Sequence, residues 1–296
     1  MMARKLANGD NDTRLRGKRW WAQVGWKHIF ALLMIVYCLF PILYVISASV
    51  NPGGTLTGSN RLFQAFTGQH YADLFASQFP RWLLNSFYVS GVTAVGTVLM
   101  AAAAAYAFSR FRFKGRRGGL TALLIVQMFP QMLAFIAIFL LALALGEIFP
   151  GLGIGSHLQL IAIYLGGALG ANTFLMYGFF NTIPMDIDEA AKIDGASHAQ
   201  IFWGIIMRLV TPILAVVGLL SFVSSYGDFI LARIILPRTE DYTLAVGLYV
   251  WGSDERNAPW GLFAAGAVVA AIPIVLLFMY LQKYIVSGLT AGGVKG

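Results

Sequence analysis

Acidic side chains are concentrated in one short stretch of the 296-residue chain, at and just before DEAAKIDGASHAQIF, residues 188–202. Four of the thirteen acidic residues, Asp186, Asp188, Glu189 and Asp194, fall within nine positions. Most of the surrounding sequence is apolar. The first question is therefore which chemistry these carboxylates serve.

Enzymatic chemistry finds no support in the rest of the chain. There is no H-E-x-x-H zinc motif and no G-x-x-x-x-G-K-[ST] phosphate loop. The four histidines lie near the ends of apolar runs or in loops, so no buried base is offered to a serine nucleophile. Asp228 is the only carboxylate near the depth of an apolar run, which excludes a catalytic aspartate pair there. A T-V-G-Y-G potassium filter is also missing. The sequence predicts a conduit or receptor with no catalytic, metal-binding or cofactor-binding residues of its own.

The composition indicates a membrane protein. Hydrophobic residues make up 58% of the chain and charged residues 11%, whereas an ordinary soluble domain has roughly 25% charged residues. Because a charge at the centre of a spanning helix is costly, charge-free runs long enough to cross a bilayer locate the spans. They predict an all-α polytopic fold with six spans, at about 29–49, 84–109, 119–145, 158–180, 205–232 and 261–286.

The basic residues predict the orientation of these spans. An even number of spans puts both termini on one side, and sixteen of the 21 Lys and Arg residues fall on that side. The positive-inside rule then makes both termini cytoplasmic, with an N-terminal tail over 1–28 and a C-terminal tail over 288–296. Since the basic residues flank spans, the net charge of +8 reports topology and not nucleic-acid binding.

The acidic stretch lies in the loop 184–204, between spans four and five. Asp186 with Glu189 three residues later resembles a capping box, and Gly195 is suited to a left-handed cap that ends the helix. Ser197 with Gln200 is a second start signal, leading into span five. The pattern predicts a short helix, a sharp turn and a second helix.

One face of the short helix is predicted to carry Ile187, Ala190, Ala191 and Asp194. Alanine adds only a methyl group, so this face is flat and suits docking in a groove of another protein. The alternative is an amphipathic connector lying on the lipid interface. It is disfavoured because interfacial helices prefer Lys and Arg with large apolar residues.

Polar residues inside the spans add two expectations. Pro130 in VQMFPQML removes a backbone donor and predicts a kink in span three, next to Gln127, which needs a partner. Ser224, Tyr226 and Asp228 gather near the outer end of span five. They either line a pathway or form hydrogen bonds between helices, and both interpretations remain open.

At this point the chain resembles a known family. EAAKIDGA is similar to the E-A-A-x-x-x-G loop of the membrane subunits of bacterial ABC importers. AYAFSRFRFKG and the C-terminal GLTAGGVKG resemble the sugar permeases of that family, those of maltose importers above all. The resemblance runs from about Ile29 onward. One departure is Met207–Arg208, where the family continues to I-x-L-P, and Pro212 is expected to supply a later bend.

The resemblance implies a type I ABC importer permease in the bacterial inner membrane, forming half of a pathway for maltose or maltodextrins. One alternative is an ABC permease subunit for another sugar. A second alternative is a self-contained secondary transporter or receptor. The implied partners are membrane lipid, a second non-identical F-type permease, a K-type cytoplasmic ATPase homodimer that binds ATP and Mg, and a periplasmic maltose-binding protein. No nucleic acid is expected as a partner.

The same resemblance assigns residues to these partners. The coupling helix that docks on the ATPase is implied to use Asp186, Glu189, Ala190, Ala191, Asp194 and Gly195. The tail in contact with the ATPase is implied to use Thr290, Gly292, Gly293 and Lys295. The external loop 249–263 resembles the loop that contacts the binding protein, with Trp251, Asp254, Glu255 and Trp260; an interfacial aromatic belt is the alternative there.

Overall fold

A computed structural model describes the backbone of residues 17–52, 62, 63, 65–253 and 258–292. Its side chains are described over the same ranges except at Arg19, Gln131 and 285–292. Within these ranges the chain is helical, with turns and short loops and no strand. The all-α prediction is confirmed.

Eleven α-helices of six residues or more follow one another in the described ranges. They are α1 Trp26–Val50, α2 Gln69–Ala76, α3 Phe79–Arg110, α4 Arg116–Gln127, α5 Gln131–Ile148, α6 His157–Phe180, α7 Asp186–Ile193, α8 Thr211–Gly227, α9 Ile230–Ile235, α10 Leu244–Gly252 and α11 Trp260–Gly292. Four stretches are continuous helices long and apolar enough to cross a bilayer: Trp21–Val50, Phe79–Arg110, His157–Phe180 and Trp260–Tyr284. Two further pairs of helices are each bent at a short break, and counting each pair as one span gives the six spans used below.

The third span is broken at Pro130, where a kink was predicted. Helices α4 and α5 meet at an angle of 102°, and Pro130 has an extended backbone between them. A proline lacks the N–H that a continuous helix needs at this point. The side chain of Gln127, at the end of α4, donates from Nε2 to the carbonyl oxygen of Gly167 at 3.2 Å. The expected kink is thus a full break whose exposed end is tied to α6.

The fifth span is broken twice, where a single helix over about 205–232 was expected. His198–Leu209 and α8 are bent by 79°, and Pro212 lies in the first turn of α8, as the predicted later bend requires. Helix α8 ends at Gly227 because Asp228 takes an extended conformation, and α9 starts two residues later. The polar outer end of this span is therefore a helix break.

Helix α3 lies at the centre of the bundle, packed along α6 and α8. Its run of small residues allows close approach, and Ala101, Ala102 and Ala105 are fully buried. One buried cluster surrounds Trp82 at the start of α3, and a second surrounds Tyr106 near its end. We call these two ends of the bundle the Trp82 end and the Arg110 end.

Helix α1 packs against α11 and otherwise presents apolar side chains outward. Leu33, Val36 and Tyr37 are each more than half exposed. In water such a surface would be unfavourable, but lipid tails or the apolar face of another spanning helix are suitable neighbours.

Candidate functional site

The acidic helix α7 lies at the Arg110 end, between the end of α6 and the segment that leads into α8. Its first turn carries three carboxylates, where the positive end of the helix dipole favours negative charge. The predicted capping box is wrong, because the N-cap residue is Met185 and no side chain caps the first turn. The helix is followed by Gly195 at φ +83°, the left-handed conformation expected there.

The second start signal has the predicted geometry. The Ser197 hydroxyl accepts from the backbone N–H of Gln200 at 3.3 Å, and the Gln200 side chain accepts from the backbone N–H of Ser197 at 2.8 Å. This reciprocal capping box satisfies two donors at the start of the helical segment. The turn between α7 and that segment is therefore held by Gly195 at its start and by the capping box at its end.

The exposed face of α7 differs from the predicted one. The five residues that share it are exposed and follow the spacing of one helix side: Asp186, Glu189, Ala190, Ile193 and Asp194. We call this set the docking face.

Ala191 does not belong to the docking face, although the predicted flat face includes it. It is 8% exposed and belongs to the buried cluster with Phe180 and Phe202. Its methyl group allows α7 to lie close against the chain's own spans, so its small size serves internal packing.

A buried ion pair fixes the opposite side of α7. Arg110 Nε lies 3.1 Å from Asp188 Oδ2, and both side chains are only 6% exposed. The pair lacks hydrogen-bond geometry, and no described residue hydrogen-bonds either oxygen of the Asp188 carboxylate. Asp188 therefore depends on Arg110 for compensation of its charge.

Arg110 also binds the end of α6. Its Nη1 donates to the carbonyl oxygen of Phe180 at 3.4 Å, and its Nη2 donates to that of Ile183 at 3.2 Å. A guanidinium provides several donors in a fixed plane, so one side chain can serve three elements. Arg110 thus connects α3, the end of α6 and α7, and we call this arrangement the Arg110 clamp.

Two residues of the α7 site were absent from the predicted set. Asp188 was counted in the acidic cluster but given no role of its own. Asp188 is three residues before Ala191, so both lie on the same side of the helix. This spacing was the signal in the sequence that Asp188 is buried when Ala191 is. Ile193 is 87% exposed on the docking face, where an apolar side chain in water has no favourable neighbour.

A second candidate feature is a cavity of about 1050 Å³ bounded by α4, α5, α6 and α8. The two helices that meet at the break in the third span form one wall, which is apolar except for Gln127. The other walls carry polar side chains, among them Gln159, Asn172, Ser224 and Asp228. Of the predicted pathway residues, Ser224 and Asp228 line this cavity.

Asp228 is fixed by three hydrogen bonds to one of its oxygens. Oδ1 accepts from the Tyr164 hydroxyl at 2.8 Å and from the backbone N–H groups of Leu231 at 3.1 Å and Ala232 at 3.2 Å. It therefore caps the first turn of α9. This explains how a carboxylate is held at the end of an apolar span.

Tyr226 fits the second interpretation of the polar residues in span five. It is buried, stacks on Phe222 with ring centroids 5.4 Å apart, and donates from its hydroxyl to the carbonyl oxygen of Ala270 at 3.2 Å. The residue joins α8 to α11 and is not among those that line the cavity.

Gly170 has a packing role. A Cβ built there would lie 2.6 Å from Gln127 Nε2 and 3.2 Å from the carbonyl oxygen of Leu123. The glycine therefore permits α4 to approach α6, in agreement with the packing role of small residues in membrane helices.

At the Trp82 end, Trp251 lies in α10 and packs on Trp82, with ring centroids 4.8 Å apart. It thus contributes to the aromatic cluster there. Trp260 begins α11 and is half-buried, while Asp254 and Glu255 lie outside the described residues. An open cleft of about 410 Å³ at this end is lined in part by Trp82 and Trp251.

The C-terminal set is divided in the same way. Thr290 and Gly292 belong to the backbone of α11, which continues to Gly292 where a tail was expected from residue 288. Gly293 and Lys295 lie outside the described residues. Among the described residues, no group of three or more His, Cys, Asp and Glu side chains could hold a metal ion.

The architecture is that of ABC importer membrane subunits. The chain superposes on a subunit of a bacterial ABC transporter involved in the import of the acidic polysaccharide alginate with a TM-score of 0.80 and 22% identity. The match covers 92% of this chain and 99% of that one. At this identity the likeness shows the fold.

Sequence comparison defines the family. Residues 96–291 match the model of the binding-protein-dependent transport system inner membrane component, and the chain belongs to this family. It is 45% identical over 274 residues to the galactooligosaccharides transport system permease protein GanQ of Bacillus subtilis, covering 91% of this chain and 95% of that protein. It is 40% identical over 283 residues to the maltose/maltodextrin transport system permease protein MalG of Salmonella typhimurium, with the same coverage. The chain is thus an integral membrane permease subunit of an ABC importer and not itself an enzyme; the ATPase of such an importer is a separate subunit.

Proposed function

We propose that this chain forms half of the translocation pathway of an ATP-driven importer for neutral oligosaccharides in the bacterial inner membrane. Maltodextrins are the substrates that the sequence resemblance implies. Galactooligosaccharides are the second candidate, favoured by the 45% identity to a permease with that substrate in its name. The two differ in hexose and linkage, but both offer only hydroxyl groups and ring oxygens for recognition.

The docking face carries the proposal. Asp186, Glu189, Ala190, Ile193 and Asp194 present carboxylates, a methyl group and one exposed apolar side chain on a rigid eight-residue helix. A large apolar side chain surrounded by polar groups resembles the centre of a protein interface. We infer that this face, with Gly195 at its end, docks on the ATPase subunit, and that Ala191 contributes indirectly by seating the helix.

The Arg110 clamp supplies the mechanical link. A docking helix on a flexible loop would move without moving the spans, whereas α7 is tied through one guanidinium to the ends of α3 and α6. Closure of an ATPase dimer on bound ATP and Mg would then displace α3, the central helix of the bundle. ATP and the loaded binding protein must both favour the same outward-open state, because a ligand shifts an equilibrium only through differential affinity.

The remaining partners occupy other surfaces in this proposal. The apolar outer surface of α1 contacts lipid or the second, non-identical permease. The external loop 249–263 contacts the periplasmic binding protein through Trp251, Asp254, Glu255 and Trp260. The C-terminal residues Thr290, Gly292, Gly293 and Lys295 contact the ATPase. The distribution of Lys and Arg supports this orientation, with both termini and α7 in the cytoplasm.

The first prediction concerns substrate class and uses the complete importer. The chain is co-expressed with its second permease and ATPase, reconstituted in proteoliposomes, and supplied with its binding protein. We expect ATP hydrolysis and uptake to be stimulated by maltodextrins or galactooligosaccharides and not by amino acids. Omission of the ATPase is the control and is expected to abolish uptake. Sugar uptake by this chain alone, in liposomes without ATPase, would contradict the proposal and favour a secondary transporter.

A further inference from the structure

One wall of the cavity is rich in polar residues. Thr93, Gln159 and Ser221 belong to this wall, with their own polar atoms buried behind the cavity surface. The polar lining residues of this wall that are not buried include Asn172, Ser224 and Asp228. These accessible polar groups suit a polar occupant.

Asp228 adds a charged acceptor to the same space. Its three hydrogen bonds all go to Oδ1, and no described residue bonds to Oδ2. The carboxylate cannot rotate freely, since the Tyr164 hydroxyl and two backbone N–H groups hold Oδ1. Oδ2 is therefore a fixed acceptor on the polar wall of the cavity.

The charge of the lining selects among polar occupants. Asp228 is the only charged residue among those that line the cavity; Lys, Arg and His are absent from that described set. A single uncompensated carboxylate attracts hydroxyl donors and repels other carboxylates. The mostly apolar wall of α4 and α5 strengthens both effects by lowering the local dielectric constant.

We propose that the cavity is a subsite for a neutral sugar unit, in which Asp228 Oδ2 accepts hydrogen bonds from sugar hydroxyls and the Asp228 charge excludes uronates. The volume of about 1050 Å³ lies at the upper end of the usual range of ligand pockets, and the mixture of apolar and polar walls matches the two faces of a pyranose ring. This inference rests on the proposed function and adds that this subunit itself contacts the sugar.

Asp228→Asn is the most direct test because asparagine keeps an oxygen in the Oδ1 position. The cap of α9 and the bond from Tyr164 are retained, and only the free oxygen and the charge are lost. Sugar binding is read in the assembled complex as protection of Ser224→Cys from a water-soluble maleimide, after replacement of the single native cysteine by Cys38→Ser. We expect the concentration of neutral oligosaccharide that gives half protection to rise about tenfold or more in Asp228→Asn, as befits loss of a hydrogen bond to a charged group.

Two controls isolate the effect. Glu240→Gln removes a carboxylate from a residue outside the cavity lining and is expected to leave the half-protection concentration unchanged. Lys114→Cys, an exposed position in the loop between α3 and α4 and outside the cavity, is expected to react equally with and without sugar. A uronate oligosaccharide of equal length is expected to protect Ser224→Cys poorly in the parent and better in Asp228→Asn.

Asn172→Ala keeps the test decisive if Asp228→Asn does not assemble. Asn172 is half-buried on the cavity wall, and its side-chain amide bonds only the carbonyl oxygen of Ala168 on the same helix, so its truncation is expected to allow assembly while weakening sugar protection. An importer that transports neutral sugar but shows unchanged half-protection concentrations in both variants would overturn the subsite and leave the proposed function standing. If no neutral sugar is transported by the parent importer at all, the proposed function itself fails.

Discussion

Asp188→Asn is expected to uncouple ATP hydrolysis from transport, although asparagine has almost the shape of aspartate. The substitution leaves the buried guanidinium of Arg110 without its counter-charge, and breaking a buried ion pair in this way costs about 3–5 kcal/mol. About 1.4 kcal/mol corresponds to a factor of ten, so the population with α7 seated against the spans falls on the order of 100-fold or more. Thermal unfolding of the purified complex and ATP-dependent sugar uptake measure the two consequences.

The control for this prediction lies on the same helix. Asp186→Asn removes the same charge from an exposed position and is expected to change the free energy of unfolding by about 0.5 kcal/mol or less. In a double-mutant cycle, Arg110→Gln combined with Asp188→Asn is expected to be less destabilising than the sum of the single changes. Each single change leaves one buried charge without its partner, whereas the double variant leaves none. Equal midpoints of thermal unfolding for Asp188→Asn and Asp186→Asn would show that the Arg110 clamp does not stabilise the protein.

Ile193→Asp is expected to release the ATPase from the membrane subunits while leaving those subunits paired. The Ile193 side chain is 87% exposed, so its replacement costs the isolated chain little. At the centre of an interface, loss of a buried apolar anchor costs about 2 kcal/mol or more, which is roughly a 30-fold loss of affinity. Co-purification of the ATPase with the permease pair, followed by titration of its affinity, measures the effect.

Conservative replacements at the same position separate apolar contact from charge. Ile193→Leu retains the apolar area and is expected to bind the ATPase within about threefold of the parent, while Ile193→Ala should fall between Leu and Asp. Undiminished ATPase binding by Ile193→Asp would move the docking surface away from this face of α7.

The spans and turns of this protein follow from local chemistry. Charge-free runs locate the helices that cross the bilayer, Pro130 marks the break of the third span, and the Ser197 and Gln200 pair begins the helical segment that leads into α8. Each of these signals acts within a few residues along the chain, so the sequence alone is sufficient. The capping box predicted at Asp186 is an exception. The helix begins one residue earlier than that prediction requires, so Met185 is the N-cap residue and Asp186 lies within the first turn.

The orientation of α7 depends on residues distant in sequence. Whether Ala190 or Ala191 faces outward is decided by Arg110, almost eighty positions earlier, which draws Asp188 into the protein interior. Periodicity identifies which residues share a face of a short helix but not which face is buried when both carry alanines and carboxylates. The cavity likewise depends on two helix breaks that meet in space, and no pattern along the chain shows that they meet.

The central claim, that the docking face of α7 binds a separate ATPase, is tested most directly by photo-cross-linking at two adjacent positions. A photoreactive amino acid is placed at Ala190 or at Ala191 in the assembled importer, and the captured proteins are identified by mass spectrometry. We predict that the probe at 190 captures the ATPase and the probe at 191 captures segments of this chain. Capture of no ATPase from position 190, or labelling of that position by a membrane-impermeant reagent added outside intact cells, would contradict the account.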